Sequence, residues 1–195
     1  MAAPDALPQF QPAGRAAWRH WLAENHGTVP GVWLVSYKKA PGRPRLTYDE
    51  AVEEALCFGW IDSLPRKLDA ERTTLLFTPR KPKSGWSKVN KERLARLEAA
   101  SLLMPAGIAV IEKARQNGAW QSLDAAEAGL MPADLTAALA TDETAARHFA
   151  AFSLSSRKMI LTWVLAAKRP ETRAARIAET RRLAALNRRA NVDRE

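Results

Sequence analysis

The chain has 195 residues, 47% of them hydrophobic, one cysteine and a formal net charge of +9. This composition excludes a disordered chain, the length suffices for a core without staples, and the lone Cys57 excludes an internal disulfide. The positive excess favours anionic partners such as nucleic acid, phosphorylated ligands or an acidic membrane face, without choosing among them.

Residues 1–11 read as a loose leader. They lack the basic and apolar regions of an export signal, and no stretch approaches the ~20 apolar residues needed to span a bilayer. The expected location is therefore the cytoplasm. Trp18, Trp21 and Leu22 then recur at helical spacing, with Gly27 as a stop. "GVWLVSYKK" reads as a strand and "APGRPR", with Pro41, Gly42 and Pro44, as a turn. Thr47 and Glu50 stand at capping-box spacing and open a helix that Gly59 ends. Asp49, Glu50, Glu53 and Glu54 form the acidic cluster of the chain and read as a solvated first turn. Cys57, within "EALCFGW", reads as a buried thiol.

"WIDSLPRKLD" and "TTLLFTPRK" make a hairpin around "DAER", with Pro65 pushing the first strand toward an edge or a bulge. Beyond residue 86 the text is helical. One helix follows Ser84 or Ser87 as cap, one runs from Pro105 to Gly118, and "PADLTAALA" is short. Another helix is capped by Asp142, the next carries the stripe Ile160, Trp163, Val164 and Ala167, and Pro170 starts the last. The tail "NRRANVDRE" reads as frayed. These elements specify an α+β fold with a small antiparallel sheet of about three strands among helices, followed by an all-helical C-terminal half. The expected division is an α+β domain over residues 10–100 and a helical region over 101–188 packed on it.

The stretch "TPRKPKSGWSKVNKER" sets a tryptophan amid cations. Arg80, Lys81, Lys83, Ser84, Trp86, Ser87, Lys88, Asn90 and Lys91 are the candidate ligand-binding set. The start of a helix near Ser87 attracts anions, Gly85 permits close approach, and Trp86 offers a ring for stacking. The alternative is that Trp86 is a buried helix-start anchor and the lysines are merely solvated. Asp62, in "FGWIDS", is a weak candidate for a general base facing the loop, or else a strand-edge partner of a cation. Arg169, Arg173 and Arg176 share one helix face and form a second basic patch, or a solvated amphipathic surface. His20, His26 and His148 have no metal-ligand spacing, and no dinucleotide or P-loop fingerprint is present, so neither metal nor cofactor is expected.

Four phrases, "YDEAVEEALCFGWIDS", "TPRKPKSGWSKVNKER", "MPAGIAVIEKARQNGAW" and "AAKRPETRAARI", resemble the YdeI/OmpD-associated family, also called bacteriocin-protection proteins. The resemblance runs from Phe10 to Leu186, and Gly85 departs from it where a polar Asn is expected. It implies a cytosolic bacterial protein linked to tolerance of bacteriocins or cationic peptide antibiotics, and it brings no catalytic residues. The expected function is non-enzymatic binding of an anionic ligand, a nucleic acid, nucleotide or other phosphorylated small molecule. The alternatives are an enzyme using Asp62 beside the basic loop and an accessory protein that docks a partner. A chain of charge +9 repels cationic peptides, so any protection is indirect.

Overall fold

The computed structural model describes residues 6–39 and 45–193; the turn residues Pro41, Gly42 and Pro44 lie outside them. The fold is α+β, in two compact units, Met1–Gln121 and Ser122–Glu195.

The first unit contains β1 (Gln9–Phe10), α1 (Arg15–Asn25), β2 (Val32–Tyr37), α2 (Tyr48–Cys57), β3 (Trp60–Lys67), β4 (Arg72–Pro79), α3 (Lys88–Ala99) and α4 (Pro105–Gln116). Its sheet has four strands in the order β1-β2-β4-β3, which corrects the expectation of about three. The extra strand is β1, within the stretch read as a loose leader. It pairs parallel to β2, with Phe10 opposite Leu34, so the sheet is mixed rather than antiparallel. Two residues carry no alternation, so only the pairing reveals them as a strand.

The expected hairpin is β3–β4. Its register shifts between Asp62 and Pro65, and the sheet order makes β3 an edge strand. A proline that cannot donate to a ladder is tolerated at such a place.

Alternate residues of β2 and β4 supply the core: Val32 stands opposite Phe77, and Leu34 opposite Leu75. Trp18, Trp60, Trp86, Val52 and Leu56 join Val32, Leu34 and Phe77 in one buried cluster. The Trp18 indole donates to the Ala51 carbonyl at 3.0 Å, which locks α1 onto α2. α2 starts with the expected capping box of Thr47 and Glu50.

Glu54 departs from the reading of a solvated acidic cluster. It is 3% exposed and lies between two arginines of α1, with Arg15 at 2.6 Å and Arg19 at 2.7 Å. A carboxylate survives such burial because both of its oxygens are paired. Cys57 is buried, and burial pushes its thiol pKa up, which keeps it neutral.

α4 crosses α2 at a glycine. A Cβ on Gly107 would stand 2.3 Å from the Cys57 carbonyl oxygen, a backbone atom that cannot swing away.

The second unit contains α5 (Asp124–Glu127), α6 (Ala133–Ala140), α7 (Glu143–Ala151), α8 (Leu154–Leu165) and α9 (Pro170–Ala185). Side-chain caps fall where the sequence places polar residues before apolar periods: Asp142 accepts from the Ala145 amide at 3.0 Å and Ser153 from the Ser156 amide at 3.2 Å. Leu135, Phe149, Ile160, Leu161 and Val164 build a separate core. α8 ends at Leu165, so Ala167 falls outside the stripe expected of it.

The described tail is packed rather than frayed. Ala190 is buried, Val192 packs against the core, and Arg189 pairs with Asp193. Among the described residues, no helix is long and apolar enough to cross a membrane.

Two predictions follow from this packing. Gly107→Ala is expected to lose about 1–3 kcal/mol of stability, the usual result of overpacking a tight core contact; an unchanged urea midpoint would mean that α4 can retreat from α2. In the second unit, arginine partners hold the carboxyls of Asp134, Glu179 and Asp193 below their ordinary range. A depressed folded pKa stabilises above the unfolded value, so this contribution is present above about pH 4 and fades as pH falls through the lowered values. Thermal unfolding between neutral and acid pH is expected to show that loss, with a shallower slope in Asp134→Asn.

Candidate anion-binding site

The basic loop joins β4 to α3 and is pinned from several sides. The Arg80 amide donates to the Gly59 carbonyl at 2.9 Å, and Gly59 supplies the turn at φ 74°. That positive φ is ordinary for glycine and strained for other residues. The Ser84 amide closes a turn onto Lys81 at 3.0 Å, and Asn117 donates to the Pro82 carbonyl at 2.8 Å. Ser87 is the cap of α3, its hydroxyl accepting from the Asn90 amide at 3.3 Å.

Within this frame Trp86 turns inward. It is 1% exposed and belongs to the core cluster. Its ring lies against the Arg80 guanidinium at 3.6 Å on one contact and against Trp120 at 5.2 Å on another. A ring so enclosed is no platform for a ligand, which corrects that expectation. The physical reason is the apolar area of an indole, far larger than the gain from leaving it exposed beside water.

Arg80 follows the indole inward and is 7% exposed. Its Nη2 donates to the Gly85 carbonyl, whereas Nε and Nη1 are buried without a partner. Burial drives its pKa down to about 10, with Asp62 acting in the opposite sense. Arg80 therefore remains a cation at neutral pH, inside the protein and, among the described residues, with no carboxylate hydrogen-bonded to it.

Around this charge the remaining loop residues divide. Lys81, Lys83 and Lys88 are exposed and Ser84 is half-buried. Ser87, Asn90 and Lys91 carry local structure. Asn90 Oδ1 accepts from Arg93 at 2.9 Å, and the Lys91 ammonium lies 5.1 Å from the Trp120 ring centre.

A chain of contacts links the starts of α3, α2 and β3. Arg93, which is buried, reaches from Asn90 to the Asp49 carboxylate and lies 5.8 Å from the Tyr48 ring centre. The Tyr48 hydroxyl in turn donates to Asp62 Oδ2 at 3.0 Å. Asp62 thus sits at the end of this chain. It lines a groove of about 670 Å³ in which the cations are Lys38, Arg66 and Lys67, not the loop lysines that the enzyme alternative required beside it.

Sequence reading missed Trp120 and Tyr48. Trp120 follows the stop of α4 and has no periodic partner, although Arg115 also lies 5.0 Å from its ring. Tyr48 stands in the sequence only as the residue after the Thr47 cap, with no local signal of its reach to Asp62.

The second basic patch is largely committed to structure. Arg173 holds Asp134 through two hydrogen bonds, and Arg176 donates to the Trp163 carbonyl while lying 5.0 Å from its ring. Arg169 is exposed at the cap position of α9. Among the described residues, no group of three His, Cys, Asp or Glu side chains could hold a metal ion.

Comparison with known proteins divides the chain in a similar way. Residues 130–187 match the family model described as bacteriocin-protection, YdeI or OmpD-associated, which upholds the resemblance for that segment. Residues 10–110, which hold the basic loop, match a different model, a domain of unknown function (DUF8412). No curated protein and no solved structure matches the chain. The second of these models spans more than half of the 195 residues, so the chain belongs to the family of that domain of unknown function and carries a segment of the bacteriocin-protection type after it.

Proposed function

We propose that the first unit is a non-enzymatic, cytoplasmic binder of an anionic ligand, a nucleic acid or a phosphorylated small molecule, and that the protein acts in tolerance of cationic antimicrobial peptides through that ligand. The observation that carries this reading is Arg80. A guanidinium removed from water, with two nitrogens unpartnered and no bonded carboxylate among the described residues, is costly to keep. An anion arriving at the surface above it would offset that cost.

Arg80 acts through its field rather than by contact, and Trp86 acts by holding it in place. The contacts fall to Lys81, Lys83, Ser84 and Lys88, at the positive end of the α3 dipole. The match of residues 130–187 to the bacteriocin-protection family model supports the link to peptide tolerance. Direct capture of a cationic peptide is disfavoured by the net charge of +9.

Binding of a labelled single-stranded oligonucleotide, measured at several salt concentrations and in competition with pyrophosphate, tests the proposal. Affinity should fall steeply with salt, and the double variant Lys81→Ala/Lys83→Ala should reduce the logarithmic salt slope by about 0.7 for each lysine removed. No binding of either probe at low salt would refute the assignment. A second expectation concerns Arg80→Met, which replaces a buried charge by a neutral chain of similar length. It should leave the unfolding midpoint unchanged or raise it, because uncompensated buried ions are commonly neutral or unfavourable for stability, while weakening anion binding. A strongly destabilised Arg80→Met with normal binding would make Arg80 a structural residue only.

A further inference from the structure

We propose that the groove beside Tyr48 is a second binding site, separate from the basic loop, for a planar aromatic anion of the nucleoside monophosphate class. Tyr48 opens α2, and its side chain is 53% exposed as a residue yet fixed at both ends. The hydroxyl is bonded to Asp62 at 3.0 Å, and the Arg93 guanidinium lies 5.8 Å from the ring centre. An exposed tyrosine ordinarily keeps its rotamer freedom, so a ring held in this way is preorganised as a surface for stacking.

The groove has the volume of a small-molecule site, about 670 Å³. Pro65 and Leu75 supply an apolar wall, Lys38 and Lys67 make it cationic, and among the described residues Asp62 is its one acidic lining residue. Lys38 is held by the carbonyls of Asp69 at 3.0 Å and Ala70 at 2.7 Å, contacts that fix its ammonium without neutralising it. Arg66 borders the groove, but its guanidinium turns to the other face of the sheet, 4.3 Å from the Trp33 ring centre.

The shift of register between Asp62 and Pro65 belongs to the same groove, and such irregularities re-aim side chains beside sites. One ring for stacking, a cationic lining and a single carboxylate to accept from a ring amine or hydroxyl together describe an aromatic group joined to an anion. Near the loop, Trp86 is buried against Arg80 and Trp120 lies against both Lys91 and Arg115, whereas Tyr48, beside Arg93, keeps half of its surface exposed.

Calorimetric titration of the full chain with AMP, adenosine and inorganic phosphate at low salt tests the site. AMP should bind, with adenosine and phosphate each weaker by about tenfold or more. Tyr48→Ala should weaken AMP by about tenfold, as expected for loss of one stacked base, whereas Tyr48→Phe, which keeps the ring, should retain most of the affinity. Lys67→Ala should also weaken AMP, and Lys81→Ala/Lys83→Ala should leave it unchanged. Unfolding midpoints of the variants separate lost binding from lost structure. Failure of AMP to bind overturns the site even if oligonucleotide binding at the loop persists. AMP affinity that is indifferent to Tyr48→Ala, or lost in the loop variant instead, overturns it equally.

Discussion

A guanidinium stacked on an indole inside the first unit organises what surrounds it. Trp86 belongs in the core because its apolar area is large, and Arg80 lies against it at 3.6 Å. That contact draws a positive charge under the loop and fixes the loop's path, since Arg80 also bonds the carbonyls of Gly59 and Gly85. α3 then begins directly after Trp86, with Ser87 as its cap. The exposed Lys81, Lys83 and Lys88 flank this buried cation and helix start along the chain.

The buried charges of this unit are handled in two contrasting ways. Glu54 is nearly inaccessible, but Arg15 and Arg19 satisfy both of its oxygens, so it ties α1 to α2 and leaves nothing for a ligand. Arg80 is almost as deeply placed and lacks any such partner. A hydrogen-bonded buried ion pair is a structural device, whereas Arg80 is offset only by the more distant Asp62 charge and the Trp86 ring. That contrast, rather than the number of lysines, is what the proposed role of the loop rests on. The same distinction demotes the arginines of α9, where Arg173 already holds Asp134 and Arg176 already holds a carbonyl.

Much of the local architecture was legible in the sequence. Thr47 with Glu50, Ser87 and Asp142 cap the helices they precede, and Gly59 and Pro65 mark a turn and an irregular edge. These features depend on neighbours a few residues apart, so spacing alone reveals them. β1 was not legible, because a two-residue strand exists only by its pairing with β2. The packed tail was missed for a related reason: "NRRANVDRE" is polar throughout, and nothing in it signals that Ala190 and Val192 meet a core.

The basic loop shows where the boundary lies. By itself the sequence determined the α+β class, the helix starts and the concentration of cations around Trp86, since propensity, capping and charge are properties of short stretches. Only the tertiary structure decided that Trp86 and Arg80 point inward, that Glu54 is buried between arginines, and that Tyr48 reaches Asp62 from another element. Each of these depends on which surfaces meet across 5 to 39 positions of chain, as in the bonds Arg80–Gly85 and Arg15–Glu54, and burial and pairing are set by that meeting rather than by residue type.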